Sequence, residues 1–261
     1  MSWGVWPEVE EAASSRPGEH KIAALFRSMN EYDGCMCDPG STSGVWREAT
    51  AIVSRYPSAA IIPGAVLGAI AEVPHYFIGE DPLLDNVLTY VTAALAYYLY
   101  LAYAEEIVVE YEDGIERITL RGMLRELRDA IPYVPRVLAA GLVTLAITGV
   151  ATGLLVIPGV WLYTRWSLST PIIRHENLGS APALKRSNSL VRSRFWFILA
   201  TATLAFVLEQ ALVHAGAVGG YLVSGSHTWG EWIGGSTVAA IVIPLAAFTT
   251  SVAYKRVAQS S

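Results

Sequence analysis

Chemistry in a polypeptide needs a nucleophile with its base, a metal ligand set, a phosphate cradle or a charge held away from water. This sequence offers mainly the last. Its histidines, at 20, 75, 175, 214 and 227, are scattered, and no spacing selects a Ser/His pair among them. No His-Glu-x-x-His, no Gly-x-Ser-x-Gly and no glycine-rich phosphate loop occurs. Cys35 and Cys37 form a Cys-x-Cys pair with no His or Cys nearby. That is too sparse for zinc, and they read as ordinary thiols. The expectation is therefore a chain with no catalytic residue, no metal site and no cofactor. What stands out instead is a set of polar side chains inside apolar stretches: Glu72, Arg165, Glu209, Gln210 and His214. An unpaired charge in hydrocarbon costs several kcal/mol, so each charged member needs a partner. Arg165 and Glu209 each fall about six residues, roughly 9 Å, below the outer end of an apolar run, and Glu72 about seven. Matched depth predicts an Arg165–Glu209 ion pair with Glu72 as the alternate partner. A structural pair and a polar pocket open to the outside, with Gln210 and His214 one turn apart, are both open at this point.

The elements that would position these residues follow from composition. Of 261 residues, 53% are hydrophobic and only 16% charged, against about a quarter charged in soluble domains. The charge is concentrated between apolar runs approaching the ~20 residues that a membrane helix needs. The expected fold is all-α, a polytopic transmembrane bundle of about six spans with amphipathic interfacial helices. The spans fall at 59–79, 83–104, 133–157, 160–173, 195–215 and 233–254. Pro63, Glu72 and Pro74 interrupt the first. The second carries tyrosines at 90, 97, 98, 100 and 103, and those near its ends suit an interfacial belt. Pro158-Gly159 predicts a tight turn after the third. The fourth, about 14 residues or ~21 Å, is short for the hydrocarbon core, and a thinned hairpin is favoured over a re-entrant loop.

Residues 1–57 form a polar N-terminal segment, with a short helix expected over Glu19–Met29. A second helix, from Ser43 to Tyr56, puts Val45, Trp46, Ala49, Ile52, Val53 and Tyr56 on one face. It reads as an amphipathic helix lying on the bilayer, with packing on a soluble segment as the alternative. Glu8, Glu10, Glu11 and Glu19, without an apolar core, argue against a secretory signal. Residues 257–261 form a short tail.

Orientation follows from Lys and Arg. Residues 105–132 hold Arg117, Arg121, Arg125 and Arg128, with helical spacing of Ile118, Met123, Leu124 and Leu127 in their second half. Residues 174–194 hold Arg174, Lys185, Arg186, Arg192 and Arg194, whereas 80–82, 158–159 and 216–232 hold none. The bias places both basic loops, and both termini, in the cytoplasm. Over 180–194, Ser180 can cap a helix whose Leu184, Val191 and Phe195 face inward. Lys185, Arg186, Arg192 and Arg194 then become candidate contacts for anionic lipid, at about 1 kcal/mol per basic residue. Positive-inside anchoring alone is the plainer alternative. Gly64/Gly68 and Gly149/Gly153 make small-residue patches, for which packing inside the bundle is favoured over a dimer contact.

One stretch is specific. It reads Pro158-Gly-Val-Trp-Leu-x-x-Arg165-Trp-Ser-Leu-x-x-Pro171, Glu176, Ala183-Leu-Lys-Arg186-Ser187-x-x-Leu190 and Arg194-Phe-Trp196. This resembles the membrane-domain family named after glycerophosphoryl diester phosphodiesterase, a group of small multi-pass bacterial and archaeal proteins. The likeness extends more weakly over about 41–255. Ser193 stands where the family often has Gly, and Arg174-His175 replace residues that are usually apolar. The resemblance implies no phosphodiesterase activity, because that chemistry belongs to a separate barrel of ~250 residues. Arg174-His175-Glu176-Asn177 echoes such a site only over four residues.

The expected role is a non-enzymatic organising or interaction component of the cell membrane. Membrane lipids are its partners, and a homo-oligomer or a membrane-protein partner is left open. The net charge of -5 argues against nucleic acid. A transporter or lipid-handling protein using the outer polar cluster is the alternative, although no inverted repeat supports it.

Overall fold

The computed structural model describes residues 41–71, 82–115, 118–226 and 229–259. Glu72, Cys35, Cys37 and the expected helix Glu19–Met29 lie outside them. Among the described residues every regular element is a helix: α1 (Thr42–Arg55), α2 (Pro57–Ala71), α3 (Pro82–Glu112), α4 (Leu120–Ala130), α5 (Val134–Leu154), α6 (Val156–Trp166), α7 (Ser169–His175), α8 (Ser180–Ser193), α9 (Phe195–Ile198), a π turn (Leu199–Thr203), α10 (Leu204–Ser224) and α11 (Trp229–Gln259). Three stretches are long and apolar enough to cross a membrane: α5, the continuous run Phe195–Ser224, and α11.

Polarity is distributed as lipid demands. Large apolar side chains such as Val66, Val150, Leu154, Leu222 and Val223 are exposed, while Thr144, Thr148 and Thr250 are buried. The buried hydroxyls donate to their own helix one turn back: Thr144 to Ala140 O at 2.9 Å, Thr148 to Thr144 O at 2.6 Å, Thr250 to Ala246 O at 3.0 Å. No water is needed to satisfy them.

Proline and tyrosine join α2 to α3. Pro63 lies inside α2 and has no N–H, so the carbonyl of Ala59 loses its partner four residues on. Tyr103 donates to Ala59 O at 3.0 Å and Tyr100 to Ala60 O at 2.9 Å. Tyr97, Tyr98, Tyr100 and Tyr103 are all buried, so Tyr100 and Tyr103, near the end of the expected span, are interior residues rather than an interfacial belt. On α2's other contact, a Cβ at Gly64 would come within 3.0 Å of Ala240 O, and one at Gly68 within 2.8 Å of Ala239 Cβ. This small pair packs inside the bundle against α11. Gly149 and Gly153 meet nothing within 4 Å and lie on an open face of α5.

Several expected boundaries move. The α5–α6 turn is at Leu155, not at Pro158-Gly159. Pro158 sits in the first turn of α6, where its missing N–H has no helix acceptor to lose. Gly159 is small because a Cβ there would come within 2.8 Å of Thr152 Cα, so it lets α6 lie against α5. The fourth run is longer than expected but broken, ending α6 at Trp166 and resuming as α7 at Ser169. The first helix, α1, does not offer its apolar face to lipid. Val45, Ala49 and Ile52 are buried, α1 packs on α11, and Arg256 bonds Glu48 at 2.8 Å.

The expected loop 216–232 is nearly all helix. Helix α10 runs to Ser224, Gly225 caps it in the left-handed region at φ 67°, and α11 begins at Trp229. Gly216 and Gly220 face Gly230 and Gly234: a Cβ on Gly216 would lie 2.8 Å from Gly234 O, and one on Gly230 2.6 Å from Gly220 O. These glycines are where two helix backbones touch.

Candidate functional site

The apolar stretch of α3 ends at Glu105-Glu106, yet the helix continues to Glu112. It can do so because each carboxylate meets a partner. Both are buried. Arg174, at the end of α7, grips Glu106 with both arms of its guanidinium, Nε at 2.5 Å and Nη2 at 2.8 Å, the geometry that best offsets desolvation. The Tyr133 ring lies 4.9 Å from the same guanidinium.

Glu105 is held from two sides. Ser251 Oγ of α11 donates to one oxygen at 2.5 Å, and His175 Nε2 lies 3.1 Å from the other. The His175 ring stacks on Tyr254 with centroids 5.4 Å apart. Tyr254 donates to Glu176 at 3.4 Å, and Arg186 of α8 reaches the two Glu176 oxygens at 3.2 and 3.1 Å. Asn177, with φ 49°, accepts from Arg136 at 2.8 Å. The four residues Arg174-His175-Glu176-Asn177 thus tie α7 and its C-terminal turn to α3, α11, α8 and α5. Coincidental in sequence, they are the centre of a polar network in the fold.

This arrangement joins helices through their side chains. Ser251 and His175 both address Glu105, so the hydroxyl has a carboxylate partner instead of an imidazole base. Among the described residues no group of three or more His, Cys, Asp and Glu could hold a metal ion.

The expected outer cluster does not assemble as an ion pair. Arg165 donates to Asn188 of α8 at 2.8 Å and lies 4.3 Å from the Trp161 ring centroid. Its carbonyl accepts from Ser187 at 2.8 Å. Buried Glu209 accepts instead from its neighbour Gln210 at 2.8 Å. The depth match fails because the turn is at Leu155, which puts Arg165 about ten residues, ~15 Å, along its helix and beside α8. His214 lies on an exposed side of α10. Glu72 is outside the described residues.

On α8, Ala183, Leu184, Ser187, Leu190 and Val191 are buried, as an inward face requires. Ser180 does not cap it; Gly179 occupies that position and Ser180 donates to Arg136 O at 2.8 Å. Of the four candidate lipid contacts, Arg186 is committed to Glu176. Lys185, Arg192 and Arg194 are exposed, and their side chains make no hydrogen bond or ion pair among the described residues.

Sequence reasoning missed Glu105, Glu106, Ser251 and Tyr254. The available signal was two adjacent carboxylates ending one apolar run and Arg174-His175 ending another on the same side. Compared with family models, with curated proteins and with solved structures, the chain matches none.

Proposed function

We propose that the chain is a multi-pass protein of the cell membrane, crossing six times with both termini in the cytoplasm. It works there as a non-enzymatic component that gathers anionic lipid along α8. The six crossings are α2, α3, α5, α6 with α7, the run from α9 through α10, and α11. Support comes from the alternation of these helices with segments rich and poor in Lys and Arg. The likeness of 158–196 to the phosphodiesterase-named membrane-domain family belongs to the same reading.

The observation that carries the lipid role is the division of α8. One face is buried, while Lys185, Arg192 and Arg194 are exposed with no acidic partner among the described residues. Unpaired basic residues at the cytoplasmic boundary attract anionic headgroups. Replacing all three with Gln should reduce anionic lipid co-purifying with the protein, measured by mass spectrometry, without changing insertion. Unchanged lipid content would leave α8 only a role in orientation. For topology, cysteines at 112 or 185, in a Cys35→Ser/Cys37→Ser background, should resist an impermeant thiol reagent added outside, and one at 226 should react. Labelling at 185 from outside would invert the C-terminal half.

A further inference from the structure

Helix α4 divides into three faces. Met123, Glu126 and Ala130 are buried, where the helix packs against α3. Arg125 is drawn to Glu110 at 2.7 Å and to Glu126 at 3.1 Å, closing that side. Leu124 and Leu127, with Ile131 at the C-cap, form a second face and are 60%, 52% and 59% exposed. Their spacing, at about 100° per residue, makes one continuous stripe beside the buried face. Arg121 and Arg128 border the stripe on its far flank, exposed and with no side-chain partner among the described residues. Asp129 lies on the third face, away from the stripe.

We propose that α4 is an in-plane membrane anchor. Leu124, Leu127 and Ile131 enter the headgroup–acyl boundary of the leaflet at the charged end of the bundle, and Arg121 and Arg128 meet lipid phosphates. Two observations choose a lipid surface over a protein. The stripe adjoins an apolar helix, because only Pro132 and Tyr133 separate Ile131 from α5, whose Leu142, Val143 and Ile147 are exposed as well. The order across the helix, apolar, then arginine, then acid, also matches the order of acyl chain, phosphate and water. Long basic side chains reach from such a depth to the phosphate level. This rests on the chain being a membrane protein, but not on lipid retention by α8.

The test uses the full chain with Cys35→Ser and Cys37→Ser, reconstituted in vesicles of phosphatidylcholine with phosphatidylglycerol. Single variants Leu124→Cys, Leu127→Cys, Ile131→Cys and Asp129→Cys each carry an environment-sensitive fluorophore. These positions are exposed, so folding is not at stake. The first three labels should be blue-shifted and quenched by spin-labelled lipid but not by aqueous iodide, and the label at 129 should behave oppositely. Iodide quenching at 124 and 127 equal to that at 129 would overturn the proposal. So would shielding from both quenchers, which would mean that a protein or a second copy covers the stripe. Adding Arg121→Gln and Arg128→Gln should remove any preference of lipid quenching for phosphatidylglycerol vesicles over pure phosphatidylcholine. A persisting preference would overturn the phosphate contact. Replacing Lys185, Arg192 and Arg194 should leave quenching at 124 unchanged, which separates failure of α4 from failure of α8.

Discussion

The two ends of α11 are fastened by opposite means. Near its start, Gly230 and Gly234 let its backbone touch that of α10 at Gly216 and Gly220, with no side chain between. About 17 residues, ~26 Å, further along, Ser251 and Tyr254 enter a network of buried and half-buried carboxylates and their cationic partners. The first contact is dispersion and shape; the second is charge with its desolvation offset by hydrogen bonds. Helices in lipid gain little from burying apolar surface, so both devices replace a hydrophobic drive that is absent. They should fail differently. A charge contact can be removed in pairs, whereas a backbone contact has no partner to remove.

The largest effect is expected at the charged end. Arg174→Leu leaves Glu106 buried without its partner and should cost about 3–5 kcal/mol. Thermal unfolding in detergent should show it as a fall in Tm, and Glu106→Leu added to it should restore part of the loss. A double variant equal to the sum of the singles would mean that the fork geometry carries no coupling. Next comes the glycine end. Gly220→Val forces its Cβ onto Gly230 O and should cost on the order of 1–3 kcal/mol or more, as overpacking does. Here Gly230→Ala should make matters worse rather than better. Rescue by a second substitution would erase the distinction between the two ends.

How these ends were legible in sequence differs as well. The apolar runs, the basic loops and the inward face over 180–194 follow from periodicity and composition, which is local information. The charged end was half legible. Arg174-His175 and Glu105-Glu106 are visible as charges ending apolar runs, but sequence does not say that 105–112 stays helical once those charges are paired. The glycine end was not legible. Residues 216–232 read as a link between spans because they hold no Lys or Arg, and only the facing helix shows that Gly216, Gly220, Gly230 and Gly234 mark a crossing. Arg165 failed for a third reason, since its depth was counted from a turn placed three residues too late, relative to Leu155.

Smaller effects refine the comparison within the bundle. Tyr103→Phe removes the donor to the carbonyl that Pro63 strands at Ala59, and should cost about 1–3 kcal/mol for a buried acceptor left unpaired. Arg165→Leu and Asn188→Ala should be coupled by about 1 kcal/mol, while Arg165→Leu and Glu209→Gln should add independently. Coupling of Arg165 to Glu209 in a double-mutant cycle would restore the ion pair expected from depth matching.

The smallest effect lies just outside the bundle, where the charged end meets α4. Burial raises the Glu126 pKa, with Glu110 adding to the rise and Arg125 opposing it. A carboxyl whose folded pKa lies above its unfolded value favours the fold while protonated. That contribution is present below the ordinary carboxylate range and is lost as pH rises through the raised value. Glu126→Gln keeps the shape and removes the titration. Variant and parent should therefore melt alike at acidic pH, and the variant should become the more stable at neutral pH. If the parent instead gains on the variant as pH rises, the Arg125 and Glu126 contact outweighs the burial of the carboxylate. The α4 junction would then belong with the paired charges of Glu106 and Arg174, not with the groups that burial opposes.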